Sequence, residues 1–143
     1  MERTASAVWN GSLKEGKGTI STQSGTLSDA PYSFITRFEN GKGTNPEELI
    51  AAAHAGCFTM ALSAQLGTMN FTPQSLRINA KLTLEKLEAG WTISKIHLDV
   101  SARIPGISAG AFESAAATAK ANCPVSRLMK AEITMDAHLE QAA

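Results

Sequence analysis

The sequence predicts an α+β fold, and three patterns predict it. Glycine-punctuated β-like runs fill the first forty residues, and an uncharged alanine-rich stretch of helical length follows. Beyond it, apolar and polar residues alternate with period two on both sides of a second alanine-rich stretch. The resulting order, β-β-β-α-β-β-α-β, lacks the strict strand-helix alternation of a doubly wound sheet.

The three N-terminal runs are Thr4 to Trp9, Gly18 to Ser21 and Tyr32 to Phe38, separated by Asn10-Gly11, Gly16 and Gly25. They read as an antiparallel meander. In Gly43-Thr-Asn-Pro-Glu-Glu-Leu, Asn45 is placed as an N-cap, Pro46 takes the first helical position and Glu48 stands where a capping box needs it. The helix that starts there is expected to reach about Leu66 and stop at Gly67. From Leu49 to Leu62 only His54 and Thr59 are polar, so this helix is expected to be central and surrounded on every side. A chain this short has few elements to surround it, which points to a second copy supplying the missing wall.

After it, Leu76, Ile78, Ala80, Leu82 and Leu84 share one face of a half-buried strand. Glu88-Ala-Gly90 turns the chain into a second strand, Trp91 to Ala102, whose alternation slips near Lys95-Ile96 as at a bulge. Ser108 caps a second helix running to about Ala121, and Asn122-Cys123-Pro124 ends it, because the residue before proline avoids helical geometry. The last strand puts Ile133, Met135, Ala137 and Leu139 on its apolar face.

The 143 residues, 43% of them apolar, fit a single domain spanning 1–143 that needs no metal or disulfide staple. Thirteen basic residues balance thirteen acidic ones without a run of either sign, which argues against nucleic acid or an anionic membrane as partner. Leu49 to Leu66 carries no charge over 18 residues, yet its bulk is Ala, Gly, Ser and Thr, and its flanks lack a basic cluster or aromatic belt. A membrane span is therefore not expected. With no signal-like apolar segment at the start, the expected location is cytoplasmic. There, two cysteines 66 positions apart argue against a structural disulfide and bring a transient one into view.

Cys57 lies mid-helix, where a free cysteine serves equally as a small apolar filler or as a reactive thiol. Cys123 sits in an irregular, proline-fixed spot where packing does not require sulfur. A reactive Cys57 is too far from the helix N-terminus for much help from it, so its thiolate needs a cation. Among the arginines, Arg37 is favoured because it ends the segment leading into the central helix. A carboxylate beside the thiolate raises the thiol pKa, so Glu47 in the first helical turn is useful only as the group that holds the arginine. His54, three residues before Cys57, offers a Cys-His pair but reads more readily as a satisfied core histidine. His97 and His138 show no zinc-site spacing, and neither metal nor cofactor is expected.

Arg37-Phe-Glu39, the segment from Gly43 through Asn-Pro-Glu-Glu-Leu-Ile-Ala-Ala-Ala-His-Ala-Gly to Cys57-Phe, and Ala119-Lys-Ala-Asn-Cys123-Pro-Val-Ser closely resemble the OsmC/Ohr superfamily of organic hydroperoxide reductases. His54 resembles the OsmC branch. The likeness covers essentially the whole chain. It implies an OsmC-like fold, an antiparallel sheet with a long buried central helix and a second helix, in an intertwined homodimer with two sites at the interface. It also implies a thiol peroxidase of oxidative or osmotic stress defence. Cys57 is then the peroxidatic residue, Cys123 its resolving partner, Glu47 the site carboxylate and Arg37 its arginine, with Arg3 as the substitute. The partners implied are an organic hydroperoxide and a dithiol reductant such as a lipoylated protein.

Two other classes stay open on the residues alone: a non-enzymatic dimeric binding or stress-sensing module with packing cysteines, and cysteine acyl transfer with His54 as base.

Overall fold

The computed structural model describes residues 1–141. Strands β1 (Ala5–Asn10), β2 (Lys17–Thr22) and β3 (Ala30–Tyr32) form the expected antiparallel meander. The third run does not continue to Phe38 as a strand. Its second half is a short helix, α1 (Phe34–Phe38), because Ser33 and Thr36 close a reciprocal capping box. The Ser33 N–H donates to Thr36 Oγ1 at 2.8 Å and the Thr36 N–H to Ser33 Oγ at 3.3 Å.

Helix α2 (Pro46–Thr68) follows. Asn45 caps it, accepting from the Glu48 N–H at 2.8 Å, while its amide donates to the Thr36 carbonyl at 2.9 Å and so ties the helix start to α1. The reciprocal half of the expected capping box is absent, since the Glu48 carboxylate takes the Thr44 hydroxyl instead, at 2.7 Å. Gly67 is not the stop. The helix runs through Thr68, and Asn70 (φ 63°) takes the left-handed conformation that turns the chain away.

Strands β4 (Ser75–Leu87) and β5 (Gly90–Arg103) make the expected hairpin around Glu88-Ala89, with Gly90 at φ 110°. The register shifts where Thr83 pairs Lys95 and Leu84 pairs Ile93, so the bulge is at Ser94, one residue before the expected place. Helix α3 (Ala109–Asn122), capped by Ser108, leads through Cys123 into a helix the sequence reading missed, α4 (Pro124–Leu128). Pro124 opens α4 at a position where its missing N–H costs nothing. Strand β6 (Glu132–Glu140) then pairs β5 in parallel. Among the described residues the sheets are therefore two, β1-β2-β3 and β4-β5-β6, and the second is mixed rather than all antiparallel.

The chain divides into two compact units, Met1–Leu49 and Ile50 onward. The second holds the core. Phe58, Leu62 and Leu66 of α2 meet Leu98, Val100 and Ala102 of β5 and Phe112, Ala115, Ala116 and Ala119 of α3. Each large side chain fully buried there contributes about 1.5–3 kcal/mol. The period-two reading holds in space: Leu76, Ile78 and Ala80 of β4 and Ile133, Met135, Ala137 and Leu139 of β6 pack against this cluster. Helix α2 is long and apolar enough to cross a membrane by length and composition, but its buried residues lie in a protein core.

Within one chain α2 is covered along one side. Only His54, Phe58, Leu62 and Leu66 are buried, one stripe at four-residue spacing, while Ala52, Ala53, Gly56 and Met60 stay exposed, Met60 at 76%. Apolarity all round a helix demands cover on every side, and one chain supplies it on one.

Candidate active site

In the first unit, α1 presents Arg37 and the first turn of α2 presents Glu47. Arg37 Nη2 donates to Glu47 Oε1 at 2.7 Å, and Nε reaches Oε1 and Oε2 at 3.0 and 3.2 Å. This two-pronged grip fixes the plane of the guanidinium as well as its position. The guanidinium also lies 5.3 Å from the centre of the Phe38 ring. The Glu47 side chain is 12% exposed and that of Arg37 39%, so the pair has a shielded anion and an open cation. Gly43 helps shape the approach. At φ 138°, a Cβ there would stand 2.5 Å from the Pro31 carbonyl oxygen, which accepts the Thr44 N–H. Arg3, the substitute, is exposed and donates to the Glu2 carbonyl, apart from the Arg37–Glu47 pair.

In the second unit, α2 carries Cys57 and the α3–α4 junction carries Cys123. Their sulfurs lie 3.0 Å apart and share a hydrogen bond. Both are free thiols, Cys57 partly exposed and Cys123 at 0% exposure. Their electrostatics differ. Burial, with the bond to Cys123 adding to it, pushes the Cys57 thiol above the ordinary cysteine range against one backbone N–H from Val125. Burial also acts to raise Cys123. Hydrogen bonding with Cys57, with the backbone and side chain of Ser126 and with the Val125 backbone outweighs it and brings Cys123 below that range.

Both pairs were named from the sequence, but the two pairs sit in separate units. Glu47 and Cys57 are ten residues apart on one continuous helix, an axial rise of about 15 Å.

His54 is fully buried, and its Nε2 stands 2.7 Å from Ser126 Oγ. Burial lowers its pKa and keeps the ring neutral. Ser126 was missed in the sequence reading, and the only signal for it was its place three residues after Cys123. The parallel register of β5 and β6 also assembles His97, Asp99 and Asp136, ligand atoms within 4.8 Å of one another, which linear spacing did not reveal. His97 is engaged there with Thr134 and Asp136, and both aspartates are exposed.

An apolar cavity of about 290 Å³ is lined by Ile50 of α2, Ile93 of β5, and Leu128, Met129, Lys130 and Ala131 at the end of α4. The elements bearing both cysteines thus also wall this cavity. Phe58, next to Cys57 in sequence, is wholly buried in the core.

Comparison with known proteins gives a family from sequence and a shared fold from solved structures. The profile of the OsmC-like protein family matches residues 39–138. A peroxiredoxin OsmC of Escherichia coli is 52% identical over 140 residues, covering 98% of both chains. Among solved structures, an OsmC-like protein of Vibrio cholerae superposes with a TM-score of 0.76 at 18% identity, covering 98% of this chain and 99% of its own. The organic hydroperoxide resistance protein OhrB of Bacillus subtilis superposes with a TM-score of 0.68 at 22% identity, covering 96% and 98%.

Proposed function

The chain belongs to the OsmC-like protein family and is a peroxidase, and we propose that it reduces organic hydroperoxides through a Cys57 sulfenic acid that Cys123 resolves. The observation that carries this reading is the 3.0 Å approach of the two sulfurs, close enough for a disulfide to form with little movement.

In the first step the Cys57 thiolate attacks the distal peroxide oxygen. The O–O bond breaks, the alkoxide leaves and takes up a proton as the alcohol, and sulfur is oxidised by two electrons to the sulfenic acid. In the second step the Cys123 sulfur attacks Cys57. The S–O bond breaks, and hydroxide leaves as water with the proton given up by Cys123. The disulfide protects Cys57 from further oxidation until a dithiol reopens it. A lipoylated protein is the reductant we propose, in the cytoplasm, where the cycle serves stress defence.

The raised Cys57 pKa defines what the first step lacks in one chain, which is a cation near the sulfur. We assign that role to Arg37 of a second copy in a homodimer, held by its own Glu47. Ten residues of helix keep Glu47 and Cys57 of one chain apart, and the uncovered apolar side of α2, with Ala52, Ala53, Gly56 and Met60, is the surface a second copy would cover. The cavity beside Ile50 and Leu128 favours an alkyl or acyl group over the water-like hydrogen peroxide molecule.

The test is mass spectrometry after one equivalent of cumene hydroperoxide. A peptide linking Cys57 to Cys123 and one equivalent of alcohol are expected. Two thiols that stay reduced would contradict the reading.

A further inference from the structure

The solvent face of the β4-β5-β6 sheet gathers side chains that the peroxidase cycle does not use. The parallel register sets Asp99 of β5 opposite Asp136 of β6, and His97 opposite Thr134. Like charges directly opposite one another on neighbouring strands repel, so two aspartates in this place favour a cation between them. The His97 ring reaches both. Its Nε2 lies 3.0 Å from Asp136 Oδ2 and 3.4 Å from Asp99 Oδ1, and the three ligand atoms all fall within 4.8 Å of one another.

Ligands about 2.1 Å from one ion stand about 3.0 Å apart at octahedral angles and about 3.4 Å apart at tetrahedral ones. Both nitrogen-to-oxygen separations are in that range. The other ring nitrogen is already held, since His97 Nδ1 stands 2.5 Å from Thr134 Oγ1. With Nδ1–H donating to that hydroxyl, Nε2 is available to an ion, and the outer hydrogen bond orients the ring as it does in ligating histidines. A separate feature adjoins the cluster: a hollow of about 240 Å³ lined by Arg77, Asn79, Asp99, Ser101 and His138. Asp99 belongs to both. The hollow has room for the water or small anion that completes the shell of an ion held by three protein groups, and His138, opposite Ser101 in the register, brings a second imidazole to its wall.

We propose that His97, Asp99 and Asp136 bind one divalent cation of the zinc class on this face. One imidazole nitrogen with two carboxylates suits zinc, nickel or cobalt(II), whereas calcium and magnesium take oxygen ligands throughout. Along β5 these residues alternate with Leu98 and Val100, which face the core that also holds Cys123 and packs against Cys57. The ion is therefore on the side of the sheet away from both sulfurs. It ties β5 to β6, two parallel strands joined in sequence only through α3 and α4, and so stabilises the edge of the sheet. Nothing in this site depends on the peroxidase cycle.

Zinc chloride is the probe. Two thiols 3.0 Å apart also attract zinc, so the titration is made on the chain carrying both Cys57→Ser and Cys123→Ser. Calorimetry should show one zinc bound per chain, and the thermal midpoint should rise with zinc concentration, as it does for any ligand of the folded state. In the same background Thr134→Val, which removes only the outer hydrogen bond, should weaken binding about 10- to 100-fold. His97→Ala and Asp136→Asn, which each remove a ligand, should weaken it further and abolish the thermal shift. Where the double serine variant fails to fold, the same substitutions are read in the wild-type chain as the loss of one of its zinc equivalents. Absence of zinc uptake overturns the proposal. So does His97→Ala binding as tightly as its parent, which leaves a carboxylate pair alone, and so does calcium or magnesium bound as tightly as zinc.

Discussion

Cys57 and Cys123 are the same residue in two settings 3.0 Å apart, and the contrast explains the division of labour we propose. Cys57 sits in the middle of a 23-residue helix, where backbone N–H groups are already bonded within the helix and burial raises the thiol pKa. Cys123 sits where one helix ends and another begins. There hydrogen bonding with Cys57 and with the start of α4 outweighs burial and lowers its pKa. A helix interior offers a partly exposed sulfur and rigid placement, while a helix junction offers donors. The first thiol must therefore borrow its cation, and the second carries its stabilisation with it.

The largest test of that contrast exchanges each sulfur for oxygen. Cys57→Ser should abolish peroxide reduction entirely, whereas Cys123→Ser should keep the first turnover and then accumulate Cys57 sulfenic and sulfinic acid. Intact-mass spectrometry reads both outcomes, and a Cys57 that stays reduced in Cys123→Ser would reverse the order of the thiols.

Arg37→Ala comes next. Loss of charge-assisted hydrogen bonding worth about 1.5–3 kcal/mol should slow sulfenic acid formation about 10- to 100-fold near neutral pH. Because burial holds the Cys57 pKa high, the variant's rate should then climb as pH rises into the alkaline range and thiolate accumulates. Stopped-flow traces across pH check this, and a variant with the wild-type pH profile would remove Arg37 from the site.

Effects on stability and association rather than on chemistry follow from the two sides of α2. Leu62→Ala, in the buried stripe, should cost about 2–5 kcal/mol in denaturant unfolding. Met60→Ala, on the exposed side, should leave the fold of each chain intact and weaken association instead, visible as a rising monomer fraction on dilution in analytical ultracentrifugation. The smallest is Ser33→Ala, which should cost about 1 kcal/mol through the lost cap of α1.

What the sequence made legible was what short-range chemistry writes. The helix start at Asn45-Pro46, the alternation of β4 and β6 and the cap at Ser108 are all local signals, and all are present. Segment 34–38 misled because Phe34, Ile35 and Phe38 read as apolar strand residues, while the capping box of Ser33 and Thr36 decides the local geometry. Helix α4 escaped notice because Pro124 served as a stop for α3 and was not also read as the start of another helix. The parallel pairing of β6 and the bond between His54 and Ser126 are long-range facts that no local window contains. The site divides the same way. Residue types and motif spacing singled out Arg37, Glu47, Cys57 and Cys123, whereas the donors that set Cys123 apart emerge only from the α3–α4 junction.

The central claim is that Cys57 of one chain is served by Arg37 and Glu47 of another, and a mixed dimer tests it most directly. One Cys57→Ser chain and one Glu47→Ala chain are co-expressed with different tags and purified through both. If the site is shared between copies, both lesions fall in one site and the other is intact. Peroxidase activity should then return to about half the wild-type value per dimer, well above either mutant homodimer. Activity no higher than that of the Glu47→Ala homodimer would contradict the account.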